Sequence, residues 1–286
     1  MIKREKTQLK KYIQSRRILL LLLFTCILTI TSVACQKPMT TEDRKDRMKE
    51  LLKDKYGEEF EVRELYNTGK IEAWCYPVSD PTMVFKANSN TEMSKLGNDD
   101  YLQMIVGKQI DEEFQPVAEN AFGNCIVSTN LALGGTENLA SPRADTINLD
   151  TLLQYEKDNG YGNTIFINVF IEYSGNGVFN SYKEYEFIKE IGKFMDDYTL
   201  EDSVLILYFG NSTFISDVRI VLEEFGWSSI GSDNRKTIHD VTKDKKEMII
   251  GFKKGIPRHR IMDSEEYEEI DINKYKELKM EIINNE

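Results

Sequence analysis

The chain is poor in histidine, since its 286 residues include only His239 and His259. Zinc sites and Ser-His-Asp hydrolase sites bring histidine together with other ligands or catalytic groups. Neither histidine here has a second one three or four residues away, and there is no Gly-x-Ser-x-Gly elbow and no Walker loop. We therefore predict no metal and no cofactor. We expect His239, in a hairpin, and His259, in a basic loop, to be structural or exposed.

Basic residues are also in deficit, because 37 Lys and Arg stand against 48 Asp and Glu, a net charge of −11. Residues 1–34 hold seven basic residues and one acidic residue, so the charge without them is −17. Nucleic-acid binding needs a basic face for the phosphates, and the composition excludes that class of partner. An acidic body also has no electrostatic attraction to anionic lipid.

A long apolar run is missing as well. The most apolar segment, residues 18–30, has thirteen residues, whereas a helix crossing a core of ~30 Å needs about 20. It follows the basic residues 1–17 and precedes the small residues Thr31-Ser32-Val33-Ala34-Cys35. This order is typical of a secretory signal peptide. The positive end stays cytoplasmic, so the pattern predicts that the rest of the chain is exported.

Residues 31–35 resemble the lipobox of bacterial lipoproteins, a family whose cysteine becomes the first mature residue and carries a diacylglyceryl group. The resemblance implies cleavage after Ala34, acylation of Cys35 by chains such as palmitate, and anchoring to the extracytoplasmic face of the cell membrane. Ser32 departs from the family, which favours Leu there. The alternative is an uncleaved anchor helix reaching Cys35, which leaves the same body outside.

Cys75 and Cys125 remain in the exported part of the chain. A disulfide is permitted outside the cell. Closing a loop of about 50 residues stabilises a fold by roughly 4 kcal/mol in the chain-entropy model. Alternatively, both are buried free thiols that behave as small apolar side chains. The sequence leaves the Cys75–Cys125 bridge and the two free thiols as open alternatives.

After a tether at residues 35–41, the pattern predicts a small domain over residues 42–133. Thr40 and Asp43 have the spacing of a capping box at the start of its first helix. Strands come next, near residues 60–66, 70–76 and 82–87, then a helix over 99–122 and a strand over 125–133. Pro116 is expected to kink or split the long helix. The order indicates an α+β unit with an antiparallel sheet.

Turn-forming residues crowd segment 134–147, which we predict to be a linker to a second domain at 148–286. Its predicted elements are helix 149–157, strand 164–173, helix 182–198, strand 203–209, helix 214–225, a hairpin of 238–241 with 248–252, and a charged helix from Ser264. The predicted fold class is thus α+β, with a small antiparallel-sheet unit followed by a mixed α/β unit.

Part of the first domain carries a pattern of short segments. These are residues 55–62 (KYGEEFEV), Cys75-Tyr76-Pro77, Val84-Phe85 and Asp99-Asp100-Tyr101-Leu102. The pattern resembles uncharacterised exported proteins and lipoproteins of low-GC Gram-positive bacteria. The resemblance covers about the first third of the mature chain, and it implies a small α+β domain and a Gram-positive host, with no activity attached.

Three other features carry weaker chemical signals. Trp74 and Tyr76 lie on one face of a predicted strand, near Tyr66. They could form a stacking platform for sugar or peptide, but such residues more commonly belong to the core. Gly175-Asn176-Gly177 lacks the third glycine of a dinucleotide loop and predicts a turn. The acidic cluster of Glu265, Glu266, Glu268, Glu269 and Asp271 predicts a solvated helix face or the segment that enters the helix.

Together these signals predict a membrane-anchored extracytoplasmic lipoprotein that binds an unidentified envelope or extracellular partner without catalysis. One alternative is a cell-wall hydrolase using carboxylates or a Cys–His pair, and a buried carboxylate or thiol with a shifted pKa in a pocket would favour it. Another is a small solute-binding receptor of a transporter, which a deep cleft would favour. The sequence points to no catalytic residue.

Overall fold

The computed structural model describes residues 39–67, 69–133, 146–158, 163–173, 180–200, 203–225, 238–243, 245–260 and 267–284. The chain divides into two units, residues 1–43 and 44–286. The predicted signal peptide at 1–34, Cys35 and most of the tether at 35–41 lie outside the described residues. So does nearly all of the predicted linker at 134–147, and the domain boundary there stays a prediction.

The described residues form seven helices and ten strands. The helices are α1 (Thr41–Tyr56), α2 (Tyr101–Phe122), α3 (Leu149–Asp158), α4 (Ser181–Asp197), α5 (Ser212–Phe225), α6 (Ile238–Thr242) and α7 (Ile272–Asn284). The strands are β1 (Phe60–Asn67), β2 (Ile71–Pro77), β3 (Phe85–Ser89), β4 (Leu96–Asp99), β5 (Cys125–Leu133), β6 (Asn163–Glu172), β7 (Val204–Gly210), β8 (Lys246–Lys253), β9 (Ile256–Arg260) and β10 (Tyr267–Glu269).

The start of α1 confirms the predicted capping box. The Asp43 N–H donates to Thr40 Oγ1 at 3.1 Å, and the Thr40 N–H donates to Asp43 Oδ2 at 2.8 Å. These two bonds satisfy backbone donors that a helix start otherwise leaves unpaired. The helix ends before Gly57, whose φ of 78° suits a glycine better than any other residue.

The first sheet is antiparallel, with the strand order β1-β2-β3-β4. Alternate residues of β2 are fully buried on one face, as the predicted period of two requires: Ile71, Ala73 and Cys75. Phe60 of β1 and Phe85 of β3 extend the same apolar surface. This is the small antiparallel-sheet unit expected from the sequence.

The second sheet is mixed, with the order β10-β9-β8-β7-β6-β5. Strands β6 and β7 are parallel and are joined by α4, whereas every other neighbouring pair is antiparallel. A parallel pair needs such a crossover, because both strands start at the same edge of the sheet and the chain must return to that edge between them. Strand β5 pairs with β6 over its whole length, so residues on both sides of segment 134–147 share this sheet.

Helices cover both faces of the second sheet. One face packs against α2, α4 and α7 through a core that includes Phe114, Phe187 and Tyr275. The other face packs against α5 and α6, where Phe170 and Tyr208 meet Phe214. The chain therefore has the predicted α+β class, an antiparallel unit followed by a mixed α/β unit.

Two sequence predictions about elements were wrong. The predicted hairpin of residues 238–252 is absent, because Ile238 and Val241 lie three residues apart on one side of helix α6 and are both buried there. Strand β8 pairs with β7 and β9 instead. The last helix begins at Ile272 rather than Ser264, after strand β10. Helix α2 runs through Pro116 without a split, and the alternative of a kink there stays a prediction. Pro116 lies on the exposed side, where water can satisfy the carbonyl that loses its N–H partner.

Candidate functional site

Cys75 and Cys125 are both free and buried. They lie in different sheets, Cys75 in β2 of the first and Cys125 in β5 of the second. Burial raises the pKa of the Cys75 thiol far above its ordinary value, and the charge of Asp99 adds to the rise. Burial also raises the pKa of Cys125 to about 12. Thiols in such surroundings stay protonated and are poor nucleophiles.

Both histidines lie in regular elements. His239 falls in helix α6 rather than in a hairpin, and His259 falls in strand β9 rather than in a loop. His259 is half-buried, and its Nδ1 has no hydrogen-bond partner among the residues that the structure describes. Across the ladder it faces Glu268 of β10. This placement agrees with a structural role.

The aromatic face of β2 is largely covered. Trp74 is only 7% exposed, and Tyr76 and Tyr66 are half-buried. The guanidinium of Arg63 lies 5.4 Å from the centre of the Tyr76 ring. An open stacking platform needs exposed ring faces, so this set matches the core alternative.

Residues of the segments 55–62, 75–77, 84–85 and 99–102 meet in one place around Asp99. Its side chain is fully buried and accepts hydrogen bonds from Lys55 Nζ at 2.8 Å, from the Tyr56 hydroxyl at 2.6 Å and from the Tyr101 N–H at 3.2 Å. The Tyr101 hydroxyl donates to Glu58 Oε1 at 2.6 Å. These bonds occupy both Asp99 oxygens and fix the start of α2.

The aromatic rings around this carboxylate pack closely, with Tyr101 edge to face against Tyr56 and Phe60 and tilted against Phe85. Tyr101 lies 4.9 Å from Tyr56, 5.0 Å from Phe60 and 4.9 Å from Phe85, measured between ring centres. The segments 55–62, 75–77, 84–85 and 99–102 thus form a structural centre joining α1, the first sheet and α2.

A second buried charge centre joins α4 to α7. Glu184 is fully buried and accepts hydrogen bonds from Lys279 Nζ, at 2.7 and 2.6 Å, and from the Tyr275 hydroxyl at 2.7 Å. Sequence reasoning missed this centre, because both charges stand at positions that read as solvated helix faces. It binds the C-terminal helix to the body of the protein.

Asp111 of α2 is a partly buried acid whose Oδ1 atom is withdrawn from water. Burial raises its pKa to about 7, although the polar groups of Thr129 pull in the opposite direction. A carboxyl with a raised pKa is the feature that would favour a hydrolase. Its Oδ1, however, is buried without a hydrogen-bond partner among the described residues, beside the equally unpartnered Thr129 Oγ1. A carboxyl that faces a strand beneath its own helix is not placed to reach a substrate.

The carboxyl ends of β6 and β7 are the position where the topology favours a ligand. Helix α4 follows β6 onto one face of the sheet, and α5 follows β7 onto the other. Neighbouring parallel strands whose helices diverge in this way form a switch point, and ligands of open α/β sheets bind outside it. The predicted turn at Gly175-Asn176-Gly177 comes after β6 and lies outside the described residues.

Backbone groups and one side-chain amide form the hydrogen bonds in the described part of this switch point. The Tyr173 N–H donates to the Gly210 carbonyl at 2.5 Å and ties the two strand ends together. Gly210 is required there, because a Cβ would overlap the ring of Phe214. Asn211 caps α5 by accepting from the Phe214 N–H at 3.0 Å.

Two helices begin at this edge of the sheet. Asn180 caps α4, and the exposed Ser212 and Thr213 open α5. Helix N-termini present N–H donors and a positive dipole end, which favour anionic or carbonyl groups. Hydroxyl, amide and N–H groups bind such ligands but do not activate a nucleophile or move a proton near neutral pH.

Two further properties concern the described residues only. No helix among them combines the length and the apolar composition that crossing a bilayer requires. Within the same residues, His, Cys, Asp and Glu form no group of three or more that could hold a metal ion.

A structural relative shares this fold. The crystal structure of a DUF5037 family protein from Ruminococcus gnavus ATCC 29149 superposes with a TM-score of 0.53 at 17% sequence identity. The match covers 82% of this chain and 98% of that one. No family model matches the sequence, and no curated protein is similar to it. At this identity the likeness concerns the fold alone.

Proposed function

We propose that this chain is a lipid-anchored extracytoplasmic protein that binds a partner or ligand at the cell envelope and does not catalyse a reaction. The observation that carries the proposal is the order of segments at the N-terminus. A basic segment, an apolar run of thirteen residues and a small-residue stretch ending in Cys35 come directly before the folded part.

The distance between the proposed anchor and the fold supports a membrane-proximal position. Helix α1 begins at Thr41, six residues after Cys35. Six residues of extended chain span at most about 20 Å. A protein acylated at Cys35 would therefore hold the start of its first helix close to the lipid headgroups.

The chemistry of the described acids and thiols supports binding rather than catalysis. The Asp99 and Glu184 carboxylates are fully engaged by Lys55, Lys279 and tyrosine hydroxyls. The two thiols are buried and kept protonated. Catalytic acids and nucleophiles instead need access to a substrate and a pKa matched to their task.

The anchor is tested by mass spectrometry of the protein extracted from membranes. The expected mature N-terminus is Cys35 with the added mass of a diacylglyceryl group. A Cys35→Ser variant should lose this mass and the cleavage after Ala34, so that it keeps its leader, whereas the matched Cys26→Ser variant, altered within the apolar run, should keep both the lipid mass and the cleavage. A mature N-terminus elsewhere, without lipid mass, would refute the anchor.

The switch point at β6 and β7 favours a second candidate, a receptor for a small solute of a transporter. Two helix N-termini at one sheet edge suit an anionic group, so inorganic phosphate is a suitable probe. If the chain is such a receptor, phosphate should raise its melting temperature. Ser212→Asp should abolish this rise, because the new carboxylate favours the helix start but repels the anion, whereas Ser212→Gln should retain it. An unchanged melting temperature in the wild type would reject phosphate as the ligand.

A further inference from the structure

Helix α2 packs on one face of the second sheet and also contacts the open edge of β5, the last strand of that sheet. Gly107, Asp111 and Gln115 stand four residues apart, so they share one side of the helix. All three are next to β5. An uncovered strand edge exposes a row of backbone donors and acceptors, and proteins commonly cover it with a helix.

Gln115 makes a complete amide pair with this edge. Its Nε2 donates to the Cys125 carbonyl at 2.9 Å, and its Oε1 accepts from the Val127 N–H at 2.8 Å. The backbone groups of Cys125 and Val127 therefore face away from β6. Because strand residues alternate, the N–H and C=O of Thr129 face the same way.

Asp111 takes the corresponding place one helical turn earlier, beside Thr129. The side chains shorten along this side of the helix from Gln115 to Asp111 to Gly107. At Gly107 the helix nearly touches the strand, since a Cβ there would lie 3.0 Å from the Thr129 carbonyl oxygen. The short Asp111 side chain thus fills the narrowing gap as Gln115 fills the wider one.

Protonation decides whether Asp111 can complete this pairing. A carboxylate only accepts hydrogen bonds, so it can take the Thr129 N–H or hydroxyl but offers nothing to a carbonyl. A neutral carboxyl both donates and accepts, as the Gln115 amide does. In the structure, Asp111 Oδ1 and Thr129 Oγ1 are buried, and within the described residues neither has a hydrogen-bond partner.

We propose that Asp111 is a proton-operated latch, which closes α2 onto the edge of β5 when its carboxyl is neutral and releases that part of the edge when it ionises. Gln115 is the permanent counterpart of this latch. An exported protein meets an outside pH that the cell does not buffer, so such a latch would make the junction of α2 with the second sheet responsive to that pH.

The surroundings of Asp111 place the transition near neutral pH. Burial is the main cause of its pKa of about 7, and the charge of Glu112 adds a smaller rise. Other described elements bring four ionisable groups to α2. Cys125 comes from β5, Asp80 pairs with Lys108 of α2, and Lys183 of α4 contacts Asn120 of α2. Asp150 of α3 and Glu113 of α2 both lie near Tyr198. None of these is a cation paired with Asp111.

The sign of the effect is set by the two states. The carboxyl has a higher pKa when the latch is closed than when it is open to water, so protons stabilise the closed form. The closed form is favoured most below about pH 4, and the advantage is lost as the pH rises through about 7. Opening should increase by up to about tenfold for each pH unit within this window.

Amide hydrogen exchange in the full chain tests the proposal, with rates corrected for intrinsic exchange. An ionised Asp111 still accepts hydrogen bonds, but its charge favours exposure to water, so this part of the edge should open more often. The protection of the Thr129 amide should therefore fall by roughly tenfold or more between pH 5 and pH 8. The Val127 amide, held by Gln115, is the internal control and should change much less. Asp111→Asn keeps the shape and supplies a permanent amide, so the pH dependence at Thr129 should disappear.

A second variant keeps the proposal testable if Asp111→Asn folds poorly. Gln115→Glu places a carboxyl at the permanent pairing, and it should transfer a pH-dependent loss of protection to Val127. Equal Thr129 protection at pH 5 and pH 8 in the wild type would overturn the latch. So would an unchanged pH profile in folded Asp111→Asn, or a Val127 amide that is indifferent to pH in Gln115→Glu.

Discussion

Lys279 Nζ donates to both carboxylate oxygens of Glu184, at 2.7 and 2.6 Å, and the two side chains are almost wholly withdrawn from water. The pair joins α7 to α4, which lie far apart in the sequence. Ion pairs of this kind cost much desolvation free energy, so their energetic role is seen best when one partner is removed.

Lys279→Met should therefore destabilise the protein strongly, because it leaves the Glu184 carboxylate buried with only the Tyr275 hydroxyl. We expect the free energy of unfolding to fall by about 3–5 kcal/mol, measured by urea denaturation at pH 7. The double variant Glu184→Gln, Lys279→Met should lose less than Lys279→Met alone, because no charge remains unpaired.

Lys274→Met is the matched control on the same helix. Lys274 pairs at 3.2 Å with Glu268, whose side chain is about half exposed. A surface pair of this kind contributes about 0–1 kcal/mol. Equal losses for Lys279→Met and Lys274→Met would contradict the account of the buried pair.

The hydrogen bond from Tyr56 to Asp99 predicts a second stability effect. Tyr56→Phe removes a donor from a buried carboxylate and should lower the free energy of unfolding by about 1.5–3 kcal/mol. The control is Tyr182→Phe, at a side chain that is 65% exposed, which should change the stability by no more than about 0.5 kcal/mol. If Tyr56→Phe changes the stability as little as the control does, then Lys55 and the Tyr101 N–H are enough to stabilise the buried Asp99 carboxylate.

Much of the fold was accessible from sequence, because its elements carry strong local signals. The start of α1 was indicated by the capping spacing of Thr40 and Asp43, and β5 was predicted with the bounds Cys125–Leu133. The long apolar stripe of α2 and the β-rich runs of β6 and β7 were equally clear. In these segments local propensity and tertiary packing agree.

Other elements were hidden by weak or misleading patterns. Strand β4 has four residues with one large apolar side chain, Leu96, and reads as a polar loop. Residues 258–260 (RHR) read as a basic loop, although they belong to β9 and pair with β10. Ile238 and Val241 fit a short strand or a single helical turn equally well, and only burial against the sheet decides.

The buried polar centres could not be predicted, because their signal lies in contacts between distant segments. Glu184 and Lys279 are 95 positions apart, and Asp111 reads as one more acid on a charged helix. The sequence identifies such residues only as solvated charges. Burial and the identity of the neighbour, which depend on topology, change their role.

A close approach of two glycines predicts a third effect. A Cβ on Gly192 of α4 would overlap the carbonyl oxygen of Gly255 and come within 3.1 Å of the Phe252 ring. Gly192→Ala should lower the free energy of unfolding by about 1–3 kcal/mol, through forced separation of α4 from the β8–β9 turn. Thermal unfolding followed by circular dichroism measures the loss.

Gly251→Ala provides the matched comparison in β8. A Cβ there would meet nothing within 4 Å, and the backbone is outside the left-handed region. The substitution should be neutral or stabilising by up to about 1 kcal/mol, since it restricts the unfolded chain. If both alanine variants behave alike, the contact between Gly192 and Gly255 does not limit the packing of α4.

The number of reactive thiols tests the state of the cysteines and the proposed anchor together. The chain has four cysteines, and the structure has Cys75 and Cys125 as buried free thiols. If the leader with Cys26 is removed and Cys35 carries its lipid through sulfur, two thiols remain. Burial and the raised pKa of both should keep them unreactive in the native protein.

Protein extracted from membranes should therefore have no thiol that reacts quickly with a thiol reagent in native buffer. In guanidinium chloride without reductant, two thiols should react. Three thiols in denaturant would mean that Cys35 is free and the anchor absent. No thiol before reduction and two afterwards would mean that Cys75 and Cys125 are bridged. The Cys75→Ala and Cys125→Ala variants should each lower the denatured count by one, which assigns the signal to these residues.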